Sequence, residues 1–121
     1  MAIYDPLQGN WSITQTWNNG TTYSFNAKFE GGTIAIPSPV PNGPKFWGSY
    51  NYCSPDVAMA IADFDEQGQM AETITAYCGT VSIVIINGSI QMTMHGNMTG
   101  SKLGDPTSGQ YGTFTATWSE G

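Results

Sequence analysis

The chain has no arginine, and its only basic residues are Lys28, Lys45 and Lys102. Set against nine acidic residues, they leave a net charge of −6 over 121 residues. Without guanidinium forks or a basic patch, neither nucleic acid nor phosphate-rich ligands are expected as partners. No run of about 18 apolar residues occurs, which excludes a membrane-spanning helix. The start, Met1 to Pro6, has neither a basic stretch nor an apolar core, so no signal peptide is expected. There are two cysteines, Cys53 and Cys78, with no C-x-x-C pair and no Cys/His cluster of zinc spacing. They read as two buried small thiols, with one disulfide between neighbouring strands as the alternative. Free thiols and the missing leader point to a cytoplasmic setting. With a single histidine, His95, sites built from several histidines are excluded, and no G-x-S-x-G elbow suggests a hydrolase.

What is present is period-2 alternation, almost end to end. Trp11, Ile13, Gln15 and Trp17 share one face of a first strand, and Tyr23, Phe25, Ala27 and Phe29 one face of the next. Asn19-Gly20 between them predicts a type I′ hairpin turn. Gly31-Gly32 leads into a short strand with Ile34 and Ile36. Four prolines between Pro37 and Pro44 then predict an extended loop, placed to act as a lid. Phe46, Gly48, Tyr50 and Tyr52 alternate with Trp47, Ser49 and Asn51, and Val57, Met59 and Ile61 alternate with alanines. Asp63–Gln69 reads as a polar turn. Thr73–Tyr77 and Val81–Ile86 read as two further strands, the second fully apolar on one face and mostly apolar on the other. Asn87-Gly88 predicts another I′ turn before Ile90, Met92 and Met94. Gly96, Gly100, Gly104 and Gly109 punctuate a loop, and Phe114, Ala116 and Trp118 mark the last strand. The expectation is one all-β domain over residues 1–121: an antiparallel, up-and-down, eight-stranded β-barrel, with a β-sandwich as the alternative.

Gly9-Asn10-Trp11 is a G-x-W on the first strand, and Gly112-Thr113-Phe114-Thr115-Ala116-Thr117-Trp118 closes the chain. With the hairpin meander, these motifs resemble the calycin group of lipocalin-like and avidin-like small barrels. Tyr77-Cys78-Gly79-Thr80 and Met94-His95-Gly96-Asn97-Met98-Thr99-Gly100 look like the bulge-then-turn glycine rhythm of small lipocalin-like domains. The resemblance implies a barrel whose interior takes a small molecule. It carries over no biotin-contact pattern.

In such a barrel the aromatic faces converge on one interior, either as plain core packing or as the lining of a pocket. The candidate ligand-binding residues are Trp11, Gln15, Trp17, Tyr23 and Phe25 on the first two strands, Tyr50 on the fourth, and Met92, Met94, Phe114 and Trp118 towards the end. Gln15 stands out because a buried amide must find partners, and a ligand is one candidate. The first functional expectation is therefore the binding of a small apolar or aromatic ligand. A second is a cofactor-free isomerase or cyclase that folds its substrate in an apolar cavity, with Tyr23, Tyr50 or Tyr52 as proton donor and Glu72 or His95 as base. A third is a carbohydrate-binding or self-assembling surface that uses Trp47. Trp47 is also where a homodimer would pair. Asp63-Phe64-Asp65-Glu66-Gln67-Gly68 mimics the start of a calcium loop, but its twelfth position is Ile74, so no metal is expected. No cofactor is called for by any residue set.

Overall fold

The computed structural model describes residues 5–36, 45–64, 71–102 and 109–119, with only the backbone described for Lys45, Ala71 and Glu72. It contains eight strands: β1 (Gly9–Trp17), β2 (Thr22–Glu30), β3 (Thr33–Ile36), β4 (Lys45–Cys53), β5 (Asp56–Phe64), β6 (Ala71–Ile86), β7 (Ser89–Lys102) and β8 (Gln110–Ser119). Each pairs antiparallel with the next, and β8 returns to β1, so the sheet closes in simple up-and-down order. Followed from strand to strand, the register shifts by about ten residues per circuit, a stagger that tilts the strands steeply against the barrel axis. Eight strands enclose a space that side chains nearly fill. Among the described residues no helix is long and apolar enough to cross a membrane.

The inward rows are the alternating sets legible in the sequence. Trp11, Ile13, Ala27, Phe29, Ile34, Val57, Met59, Ile61, Met92, Met94, Phe114 and Ala116 are all buried. Phe29 stacks on Tyr50 with ring centroids 4.7 Å apart and lies 5.7 Å from Trp11. Tyr77 meets Phe114 edge-on at 5.1 Å. Outward positions carry the hydroxyl-rich complement, such as the Thr14–Ser24 pair, bonded at 3.1 Å across β1 and β2. His95 lies on this outer face, as its phase implies.

Several local expectations are corrected. Thr73–Tyr77 and Val81–Ile86 are one 16-residue strand, and β7 continues through Gly96 and Gly100 to Lys102. These glycines are not punctuation. Gly79 and Gly96 face each other across β6 and β7, and a Cβ on Gly79 would come within 2.8 Å of the Phe114 ring. They mark where strand backbone and an aromatic ring approach too closely for a side chain. At Asn87-Gly88 both residues have positive φ, 53° and 80°, as a I′ turn requires. At Asn19-Gly20 only the glycine does: the Gly20 amide donates to the Trp17 carbonyl, which makes a type I turn followed by a left-handed glycine. Cys53 and Cys78 are free and exposed rather than buried, because both fall in the outward phase. β5 runs on to Phe64, so Asp63 belongs to a strand and not to a turn. The proline-rich segment 37–44 and residues 65–70 lie outside the described residues.

Candidate functional site

The two ends of the barrel differ. At one end, the segment before β1 folds across the opening as a plug. Leu7 is fully buried, its carbonyl accepts the Trp11 indole N–H at 2.9 Å, and the Gln8 carbonyl accepts that of Trp118 at 2.9 Å. Asp5 anchors the plug by accepting the Tyr50 hydroxyl and, at 3.2 Å, the Gly31 amide. Burial, and next the bonded Asp5 carboxylate, push the Tyr50 phenol well above its ordinary range. Trp11, Tyr50, Trp118, Tyr52 and Met92 therefore belong to the plugged end, and Met94 to the packed middle.

At the opposite end β1, β3, β5 and β7 finish and β2, β4, β6 and β8 begin. Here the inward rows change character. Below lie Phe114, Met98, Ile61 and the half-buried Phe25 and Phe46; the last layer carries Gln15, Asp63, Thr73 and Thr75 with Trp17 and Tyr23. Asp63 holds a buried carboxylate oxygen in this layer. Trp17 folds over Gly100, where a Cβ would come within 2.8 Å of the indole. Tyr23 occupies an inward position at the rim and is 58% exposed.

A buried hydrogen-bond chain joins the layers. Gln15 is 9% exposed, its amide N–H donates to the Tyr77 hydroxyl at 2.5 Å, and its carbonyl accepts the Trp17 indole N–H at 3.2 Å. The partners that the sequence demanded for Gln15 are thus an inward tyrosine of β6 and its own neighbour on β1. Tyr77 accepts the amide proton and keeps its O–H proton to donate. Burial pushes its phenol up to about 12, opposed by the smaller effect of the Gln15 amide donating to its oxygen. At neutral pH it is an uncharged donor.

The titration of Tyr77 has a consequence for stability. Unfolded, the phenol loses its proton near its ordinary 10.0; folded, it holds that proton up to about 12. The folded state binds the extra proton between these values, so stability is full below pH 10 and falls as the pH rises towards 12. We expect Tyr77 alone to account for roughly 2–3 kcal/mol of that fall. Urea unfolding followed by circular dichroism across this range should show it, and Tyr77→Phe should flatten the profile. An equally steep profile in the variant would contradict the assignment.

Of the candidate residues, the structure brings Gln15, Trp17, Tyr23 and Phe25 to the end opposite the plug, with Phe114 beneath them. The candidate proton donors and bases are dispersed. Tyr23 is at the rim opposite the plug, Tyr50 and Tyr52 are at the plugged end, and His95 is on the outer wall. The Glu72 side chain lies outside the described residues. Tyr77 and Asp63 join the site although no sequence pattern marks them for it. Among the described residues, no three His, Cys, Asp or Glu side chains group as metal ligands.

A second feature lies on the outer wall. Trp47, 56% exposed, is separated from Ile74 by Ala62 alone across β4, β5 and β6. Ile74 borders a shallow groove of about 390 Å³ that Ala76, Thr99, Gln110 and the exposed Tyr111 complete. Comparison with protein-family models, with curated proteins and with solved structures gave no match. The architecture these observations define is a closed, eight-stranded antiparallel β-barrel, one end of which is plugged by the segment before β1.

Proposed function

We propose that the end of the barrel opposite the plug binds one small, mainly apolar or aromatic molecule carrying a hydrogen-bond acceptor. The observation that carries this is the Gln15–Tyr77–Trp17 chain. It links an inward tyrosine, a buried amide and a rim indole beside the inward Asp63, Thr73 and Thr75, and leaves the Tyr77 hydroxyl proton to be donated. Trp17, Phe25 and Phe46 offer apolar surface, and the neutral Tyr77 hydroxyl offers a donor to a carbonyl or ether oxygen. The barrel order and the G-x-W on β1 are compatible with a calycin-type protein, and membership of that group is part of this proposal. So is a cytoplasmic setting, supported by the free thiols of Cys53 and Cys78.

The neutral naphthyl ketone fluorophore Prodan is a suitable probe. Titrated into the protein, it should shift its emission to the blue and saturate at one equivalent. Tyr77→Phe and Gln15→Leu should each weaken binding about tenfold, the scale of one lost hydrogen bond. Affinities unchanged in folded variants would contradict this site. A second reading, recognition of a sugar or a protein on the outer wall, is favoured by the Trp47–Ile74–Tyr111 surface. In that case Trp47→Ala would abolish binding, and the two interior variants would leave it intact.

A further inference from the structure

The β6–β7 hairpin outgrows the barrel. β5 begins at Asp56, opposite Thr80, and β8 pairs with β7 only from Thr93 onwards, so residues 82–92 pair with nothing but each other. One face of this projecting ribbon is wholly apolar (Ile83, Ile85, Ile90 and Met92), and the other sets Val84 and Ile86 among Ser82, Ser89 and Gln91; Ile83, Val84, Ile85, Ile86 and Ile90 are all exposed, Ile85 to 72%. Both of its edges are open. The Val81 amide donates to the Pro55 carbonyl at 2.8 Å, which fixes the odd-numbered positions as those whose backbone groups face the β5 side. The amides and carbonyls of Ile83 and Ile85 therefore point out along an unpaired edge.

We propose that this hairpin is the homodimer contact, with β6 pairing antiparallel against β6 of a second copy about a two-fold axis at Val84. Ile83 then exchanges both backbone hydrogen bonds with Ile85 of the second copy, and Ile85 with Ile83. The arrangement is self-complementary, as a two-fold interface must be. Charge supports it too. No acidic or basic residue lies between Glu72 and Lys102 except His95, so this ribbon lets two chains of charge −6 meet without opposing like charges. Lipid is a poorer occupant. Hydrocarbon would cover the isoleucines but leave the edge amides and carbonyls unsatisfied, and the acidic chain offers no cluster of lysines to hold an anionic surface. An uncharged edge of β-branched residues left open in water is an aggregation site, and a second copy removes that hazard.

Light scattering coupled to gel filtration tests this directly. The unaltered chain should elute at twice its 13.0 kDa mass. The Ile83→Lys, Ile85→Lys double variant should elute at the single mass with an unchanged circular dichroism spectrum. In a Cys53→Ser, Cys78→Ser background, oxidised Val84→Cys should cross-link two chains, because residues on the axis face each other at close range, whereas Ile86→Cys should remain reduced. A monomeric unaltered chain would overturn the proposal, as would a dimer indifferent to both lysines. Flotation of a monomeric chain with phosphatidylcholine vesicles would do so in favour of lipid. None of these outcomes depends on the proposed ligand site.

Discussion

Replacing Gly96 with valine is expected to stop the barrel from closing. A Cβ at this position would meet the Cys78 carbonyl oxygen, and the Gly79 Cα at 2.5 Å, on the neighbouring strand. The obstacles are backbone atoms, so no rotamer change relieves the clash. β6 and β7 would have to separate in the middle of the longest ladder in the sheet, which runs from Thr73–Lys102 to Ile86–Ser89. Phe114 lies over Gly79 and would lose its seat as well. We expect a loss of about 3 kcal/mol or more, enough to leave much of a small domain unfolded. Near-ultraviolet circular dichroism of the Gly96→Val variant should lose its aromatic signature. A cooperative transition at the original urea midpoint would show that the glycine pair is dispensable.

The second large effect is expected at Leu7. This residue lies outside every strand and is nonetheless fully buried. Its side chain closes one end of the barrel, and its carbonyl and that of Gln8 satisfy two indole N–H groups. Leu7→Ala shortens the fully buried side chain to a methyl group and leaves a cavity in the core. A loss of about 2–5 kcal/mol follows from comparable truncations. Water entering at that end would also raise the exchange rates of the Trp11 and Trp118 indole protons. Thermal unfolding of the variant measures the first effect and hydrogen exchange the second. A change below about 0.5 kcal/mol, the range of ordinary surface substitutions, would mean that the N-terminal segment is not a plug.

Much of this architecture was legible in the sequence because alternation and turn chemistry agreed. Trp11, Ile13 and Gln15 with Phe25, Ala27 and Phe29 defined the inner wall of the first hairpin, and Asn87-Gly88 marked the turn between β6 and β7 without ambiguity. Gln15 was conspicuous as an amide in an apolar row. Its partner was not. Tyr77 belongs to a stretch in which the inward residues are Thr73 and Thr75 and the outward ones include Ile74 and Ala76, so polarity hides which face is inner. Only the closed register brings it to a residue 62 positions away. The strand through Gly79 was misread because a glycine inside a strand and a glycine ending one look alike until the opposing glycine is known. Leu7 gave no signal, since one leucine before a strand carries no period. The apolar run Val81–Ile86 was visible in the sequence. That it leaves the barrel depends on where β5 and β8 stop, which no local pattern within β6 records.

The most direct test of the ligand site uses the four tryptophans as positional reporters. Trp17 lies at the end opposite the plug, Trp11 and Trp118 at the plugged end, and Trp47 on the outer wall. Their indole N–H resonances can be followed by two-dimensional ¹H–¹⁵N spectra while Prodan is added. The Trp17 indole, bonded to Gln15, is expected to shift progressively and saturate at one equivalent while Trp11, Trp118 and Trp47 stay in place. Movement of Trp47 alone, or of none of the four at saturating probe, would contradict a binding site at the end of the barrel opposite the plug.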